Sequence, residues 1–416
     1  QASQLSEVNA AAMGEGLRDG LLRQVRDTLR LGGVPDDEIT ERTVALGEQL
    51  HHANFTTLAL EALEAEIFDR ALQAIERDFA DQPVLKATLL QTIASTLRAV
   101  GLMPQALPPQ MEAMELRRAQ LGDMHPDTIY SIGRAGALLV FLNEFEQAEQ
   151  LLREEFEGSR QILGPDHPLT LGSLNNLASA IGDQGRHAEA LELLQDVLAQ
   201  ERRVLGNSDS KTINTMDGVA DTLRRLGRVD EAGELYREAM VCSQRAFGDD
   251  DPITINKRGA LARHLIRCGE FQEAEEMLLP AVDSARRILG DLHWSTIEQV
   301  YTLGVLRRAQ NRPAEAAVQF RTAWERNCET EGPTSSAALD ALHALLTIRL
   351  AQGEFAEAEV LCKTFHDTAN TTYSIELLVG LYSSWHAAEP DAGHDAQAAA
   401  WRAKLPPDEP EVDPRE

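Results

Sequence analysis

Leu163-Gly-Pro-Asp-His-Pro-Leu-Thr-Leu-Gly-Ser-Leu-Asn-Asn-Leu-Ala178, followed by Gln184-Gly-Arg-His-Ala-Glu-Ala190, decides how the rest of this chain is read. It is the clearest copy of a unit that recurs in steps of 42 residues, the distance from Gly122 to Gly164. Three anchors keep that step. Gly122, Gly164, Gly206, Gly248, Gly290 and Gly332 end the units. Gly101, Asn143, Gly185, Gly227, Gly269, Asn311 and Gly353 mark their middles. Ala106, Ala148, Ala190, Ala232, Ala274, Ala316 and Ala358 follow five residues later. A fixed period of this length means stacked supersecondary units rather than one globular core.

Each anchor has a physical reason. Gly and Asn accept the left-handed backbone that closes a helix, so the unit-end glycine is expected to close a second helix and the mid-unit residue a first. The small alanine lets two helices approach. Asp251-Pro252 reads as an N-cap followed by proline at the first helical position. His125-Pro126 and His167-Pro168 stand at the matching place, with Thr128, Thr170, Thr212, Thr254 and Thr296 just inside. His125, His167 and His293 are therefore read as structural.

The repeat resembles the tetratricopeptide repeat (TPR). Its 42-residue form, with "LG..HP.T...LNNLA" and "G...EA", is similar to the repeats of kinesin light chains. The resemblance covers residues 83 to 367 and implies an all-α solenoid, a right-handed superhelix of helix-turn-helix pairs. Leu174, Leu177, Ala178, Ile181, Ala190 and Leu194 match the family's core positions. Arg258, Arg307 and Arg349 depart from it, standing where an apolar residue is expected, so a shifted register is expected in those units.

Helical patterning without the period precedes the array. Leu17 to Leu31 reads as one helix, closed by Gly32-Gly33. A second starts at Pro35-Asp-Asp-Glu38, and Asn54-Phe-Thr-Thr57 caps a third that runs to about Phe79. Residues 1–82 are read as a helical cap over the first repeat, 83–367 as seven units, and 368–405 as capping helices. Residues 406–416, Pro-rich and acidic, are read as disordered.

A second resemblance lies at the ends of the array. Asn54-Phe, Ala74-Ile-Glu-Arg-Asp-Phe-Ala-Asp-Gln-Pro83 and Leu90-Gln-Thr-Ile look like the segment entering the TPR array of large bacterial serine/threonine protein kinases. Ile375-Glu-Leu-Leu-Val-Gly-Leu-Tyr and Ala400-Trp-Arg-Ala-Lys-Leu-Pro406 look like its exit. That resemblance implies a non-catalytic C-terminal region, since no Gly-rich phosphate loop, HRD or DFG is present. The start at Gln1 fits a processed or excised piece.

Composition narrows the chemistry. The formal charge of −28 repels nucleic acid and anionic membranes and favours basic or neutral partners. No apolar run approaches a membrane span, and no signal peptide is visible. Cys242, Cys268, Cys328 and Cys362 form no CxxC pair and are read as buried, reduced thiols, with Cys362 at a core position. His51-His52 has adjacent rather than i,i+4 spacing and makes a poor metal site. Pairs such as Glu154-Glu155 on second helices are read as facing solvent. No catalytic set, metal or cofactor is expected.

In the TPR family ligands lie along first-helix side chains of the concave groove. Carried onto this sequence, that implies Gln91, Ser95, Arg98 and Tyr130 in the early units. In the central units it implies Asn175, Ser179, Asn214, Asp217, Asp221, Arg224, Asn256 and Arg263. Glu298, Tyr301, Arg308, Asp340 and His343 follow in the late units. The strongest of these are Asn175, Asn214 and Asn256, whose amides both donate and accept and so suit the backbone of an extended peptide. The competing reading is that Asn175 and Asn176 bond between neighbouring helices and that the charges are solvated. The expected role is a non-catalytic scaffold for a protein or peptide. A regulatory region of a kinase and a self-associating solenoid fit the same repeats; compartment and oligomeric state stay open.

Overall fold

The computed structural model describes residues 10–31, 34–50, 67–99, 101–369 and 371–405, and those residues are helical throughout, with no strand among them. Asn54, His51-His52, Gly32-Gly33 and the acidic tail lie outside the described residues. Helices α1 (Ala10–Leu31), α2 (Asp36–Leu50) and α3 (Asp69–Asp78) come first. Seven pairs follow. They are α4 (Pro83–Ala99) with α5 (Met103–Leu121), α6 (Pro126–Phe141) with α7 (Phe145–Leu163), and α8 (Pro168–Asp183) with α9 (His187–Val204). Next come α10 (Ser210–Arg225) with α11 (Val229–Phe247), and α12 (Pro252–Cys268) with α13 (Phe271–Leu289). The last two are α14 (Trp294–Ala309) with α15 (Pro313–Thr330), and α16 (Ser336–Ala351) with α17 (Phe355–Ala369). Helices α18 (Thr372–Ala388) and α19 (His394–Arg402) end the chain.

The described helices form two compact units. The first runs from 67 to 302, and the second joins 10–50 with 303–405. Within the first, the first helices from α4 to α12 contact their partner second helices, and α6 meets α8, α8 meets α10, and α10 meets α12. Leu139, Leu152, Leu171, Leu177, Ile181 and Val197 share one apolar cluster across two pairs. Each such side chain contributes roughly 1.5–3 kcal/mol relative to exposure. The anchor alanines from Ala106 to Ala358 are all buried, so a methyl is all that fits where the paired helices cross.

The two sets of turn residues adopt different backbones. The mid-unit residues are left-handed: Gly269 has φ 81° and ψ 9°, and Asn143 and Asn311 share the region at φ 61° and 59°. The unit-end glycines differ. Gly122, Gly164, Gly248 and Gly290 combine φ of 84–90° with ψ of 161–176°, the mirror image of a strand, which only glycine enters without strain. The expectation of one left-handed closure for both sets is thereby corrected. It also explains why Asn appears mid-unit and never at a unit end.

Helix starts are capped by a repeated device. The Nδ1 atoms of His125, His167 and His293 accept the backbone N–H two residues on, at 3.1, 3.2 and 3.2 Å. Asp209 and Asp251 do the same with a carboxylate at 2.9 and 2.8 Å. Imidazole and carboxylate are thus interchangeable here. His167→Ala is expected to lower stability by about 1 kcal/mol and speed exchange of the Leu169 amide, whereas His167→Asp should restore both. Equal stability of the two variants in urea would show that the cap contributes nothing.

Arg258, Arg307 and Arg349 do not shift the register. The closing residues Gly269, Gly290, Asn311, Gly332 and Gly353 keep their positive φ, and each arginine turns to a carboxylate at the edge of its pair. Arg258 meets Asp249, Arg307 lies 3.5 Å from Glu315, and Arg349 lies 3.2 Å from Glu357. Long aliphatic stems bury while the guanidinium reaches out.

The ends are built differently from one another. In the first unit, Ile75 of α3 sits with Ala87, Leu90 and Ala113 of the first pair. In the second unit, α1 lies against α15. Beyond α17 an aromatic stack closes the second unit: Phe355 on Trp385 at 5.6 Å, Trp385 on His394 at 4.0 Å, and His366 edge-on to Trp401 at 4.8 Å. The cysteines are not all buried. Cys362 is, and burial pushes its thiol up to about 12, but Cys268 is exposed and Cys242 and Cys328 are half-buried.

Candidate functional site: the first-helix face

Successive first helices of the 67–302 unit present polar side chains along one face, and most are tied together across helices. Lys257 of α12 is central. Its side chain is 7% exposed, and its Nζ donates to Asn214 Oδ1 at 2.7 Å and Asp217 Oδ2 at 2.6 Å, both on α10. Asp217 Oδ1 is buried without a partner. Burial pushes the Asp217 carboxyl above its ordinary range, against the pull of Lys257. One turn on, Asp221 Oδ1 accepts from the Tyr236 hydroxyl of α11 at 2.7 Å and from Arg224 Nη2 at 3.2 Å. Burial and the Asp221 charge hold the Tyr236 phenol well above its usual range.

The next step of the ladder joins α12 to α14. Asn256 Oδ1 accepts from the Ser295 hydroxyl, and Arg263 Nη1 donates to Glu298 Oε1 at 2.7 Å. Asn214 and Asn256, one repeat apart, thus make the same use of their carbonyl oxygens. Neither amide NH2 has a partner among the described residues. Asn175 is half-buried on α8, and no described residue bonds its side chain. The exposed Ser179 hydroxyl returns to the Asn175 backbone carbonyl at 3.0 Å. Tyr301 is half-buried. His343 belongs to the other compact unit, where its ring meets Tyr373 edge-on at 5.5 Å. The ladder therefore gathers Asn214, Asp217 and Asp221 around α10 and Asn256 and Arg263 on α12.

Nearer the start of the same face, a cavity of about 340 Å³ opens between α6 and α8 with α7 behind it. Glu155 lines it, contrary to the expectation that Glu154-Glu155 face solvent. Glu154 does face out and pairs with Arg118 at 2.7 Å. Glu155 instead turns inward, and its carboxyl lies over Gly133, where an added Cβ would stand 2.2 Å from it. Its Oε2 is buried without a hydrogen-bond partner. Burial pushes this carboxyl up to about 7, with Arg134 nearby opposing the rise.

That shift has a stability consequence. In the unfolded chain the carboxyl ionises near its ordinary 4.5, while the folded one keeps its proton to about 7. Glu155 therefore withdraws stability as pH rises through that window, by up to roughly 3 kcal/mol. Glu155→Gln should gain stability over wild type progressively between those two values. A constant difference across them, in chemical denaturation, would refute the assignment.

Two of these groups escaped the sequence reading. Lys257 occupies the repeat position of Ser131, Ser173, Thr215 and Gln299, and its basic character against those neutral residues was the available signal. Glu155 stands in a column that is apolar elsewhere: Ala113, Val197, Ala239, Ala281, Ala323 and Phe365, all buried. Among the described residues no group of His, Cys, Asp and Glu could hold a metal ion, and no helix is long and apolar enough to cross a membrane.

Comparison with known proteins agrees with this architecture. A family model of the tetratricopeptide repeat matches residues 136–203, 169–240 and 211–279. No curated protein matches the sequence. Among solved structures, the apo form of the quorum sensor NprR from B. thuringiensis is similar, with 13% identity, a TM-score of 0.50, and coverage of 81% of this chain and 97% of that one. A kinesin light chain from Podosopora anserina with nearly identical TPR-like repeats shares 24% identity at a TM-score of 0.43, covering 50% of this chain and 98% of its own. A Rap protein complexed with competence and sporulation factor shares 13% identity at a TM-score of 0.46, covering 83% and 98%. Together with the glycine geometry and the paired helices, the family match makes this chain an α-helical solenoid whose residues 136–279 are tetratricopeptide repeats.

Proposed function

We propose that the chain is a non-catalytic scaffold that binds an extended segment of a partner protein along the first-helix face of α8, α10 and α12. The observation that carries this reading is the pair Asn214 and Asn256. Each amide accepts from the next helix and so is held in place, while its NH2 remains available to donate to a peptide carbonyl. Asn175 adds a third amide on the preceding first helix. Asp221 and Arg263 flank the row with opposite charges, and each can exchange its partner, Arg224 or Glu298, for a peptide side chain of opposite sign. Ser179, Asp217 and, on α14, Tyr301 complete the set of proposed contacts, with Asp217 acting through Lys257; His343 lies in the other compact unit and is not among them. A pre-formed face of this kind binds with little ordering cost on the receptor side.

The test is selection of binding peptides from a random display library on the whole chain, followed by calorimetry on single variants. Asn214→Ala with Asn256→Ala should weaken a selected peptide at least about tenfold, and Arg263→Glu should weaken acidic peptides most. Affinity unchanged by Asn175→Ala, Asn214→Ala and Arg263→Glu alike would place the binding surface elsewhere.

A further inference from the structure

The second repeat departs from its own pattern twice, at two positions that meet. Position 155 is apolar and buried in the six other units but is Glu here. Position 133 carries Gln91, Asn175, Asp217, Tyr301 or His343 elsewhere, and Gly259 once, but is Gly here. The missing side chain is what lets the Glu155 carboxyl come forward from the second-helix layer to lie against Gly133. Packing does not require a carboxyl there, since Ala, Val and Phe fill the equivalent place in the other units. Its outcome is an acidic group at the floor of the 340 Å³ cavity on the first-helix face.

The cavity walls are largely apolar. Ile129 and Ala137 come from α6, Ile162 from α7 and Leu169 from α8. Leu169 is 62% exposed, and Tyr130 and Ile162, which line the same cavity, are exposed as well, so the apolar surface here is shared by neighbours. No described residue donates a hydrogen bond to the Glu155 carboxyl. An occupant that satisfied this site would carry a hydrogen-bond donor, with positive charge, at the end of an aliphatic stem.

We propose that this cavity receives a basic side chain, lysine or arginine, from the partner segment, with the stem along the apolar walls and the cationic end on Glu155. The proposal rests on the reading that the first-helix face takes a partner segment, and it names one side chain that segment must carry. Charge complementarity supports it twice. The local group is an unpaired carboxyl, and the chain as a whole carries −28, which draws basic segments from a distance. A cation on Glu155 would also replace the unmet bonding of the buried oxygen. The charged and titratable groups facing Glu155 are Arg134 and Tyr130 from α6 and Lys211 from α10. Arg134 draws the carboxyl toward ionisation without a hydrogen bond to it.

Entry of a cation favours the ionised carboxylate, so binding should strengthen as pH rises from 5.5 to 8. The experiment uses the full chain and four acetylated, amidated hexapeptides that differ only at a central residue: lysine, arginine, norleucine or glutamate. Norleucine keeps lysine's stem and lacks its charge. By calorimetry at pH 7.5, the lysine or arginine peptide should bind at least about tenfold tighter than the norleucine peptide. Glu155→Gln should abolish that preference and its pH dependence. Gly133→Ala, whose methyl collides with the carboxyl, should abolish it too, with thermal melts confirming that both variants fold. Norleucine binding as tightly as lysine overturns the inference while the amide row on α8, α10 and α12 stands, because that row is tested by its own variants. Preference for glutamate overturns it in favour of Arg134 and Lys211 at the rim. So does a basic preference that survives Glu155→Gln, or failure of all four peptides to bind at millimolar concentration.

Discussion

Lys257→Met lowers the free energy of unfolding around α10 and α12 by about 3–5 kcal/mol, the usual result of removing one partner from a buried ion pair. The physical reason is what remains. Asp217, with one oxygen already buried and unpaired, loses the cation 2.6 Å from the other. Methionine fills the space of the lysine stem but offers no proton. Asn214 is exposed, so its oxygen returns to water at little cost. The double variant Lys257→Met with Asp217→Leu should recover most of the loss, because the desolvated charge disappears with its partner. Repeat arrays unfold in segments, so hydrogen exchange read separately in α10 and α12 is a better measure than a single melting curve. A loss below about 1 kcal/mol in those helices would mean that water screens the pair as it screens surface ion pairs.

The second large effect separates the two kinds of turn with one substitution. Gly164→Asn costs about 1–3 kcal/mol, while Gly185→Asn costs only a few tenths. Neither site crowds a side chain, since an added Cβ meets nothing within 4 Å at either glycine. The difference is therefore backbone alone. At the mid-unit position the chain already uses Asn143 and Asn311. At the unit end, φ 90° with ψ 162° puts any Cβ against the neighbouring peptide units. Equal losses at the two positions, in paired urea titrations, would contradict this account.

Much of the fold was legible because the repeat writes backbone rules in plain residue types. A helix that must end at a fixed place needs Gly or Asn, and a tight helix crossing needs Ala. Seven copies of each rule make the period visible without any knowledge of packing. The two glycine conformations were not legible, because composition shows that φ is positive and says nothing of ψ. The arginines at Arg258, Arg307 and Arg349 misled for a related reason. A one-residue pattern treats a charge in a core column as a register error, whereas a long stem can bury and still deliver its charge to an edge carboxylate. On the candidate site, sequence proposed a helix face but not the partners of the side chains on it. Lys257 and Glu155 act through residues 40 and 22 positions away, Asp217 and Gly133, and only the column comparison between repeats points to either. The same limit hid Ser295 as the partner of Asn256.

The shared geometry of Gly122, Gly164, Gly248 and Gly290 makes the unit boundary a standard joint. Two ends cut at such joints meet in one conformation whatever unit has been removed between them. Chain length can therefore change in whole units by duplication or excision without rebuilding a turn. What such an edit disturbs is the sideways traffic between first helices. Excising the stretch from 207 to 248 would leave Lys257 facing α8, with Asn175 and no acid where Asp217 had stood. The joints make the array extensible, and the ladder of Lys257, Ser295 and Arg263 fixes the order in which its members must stand.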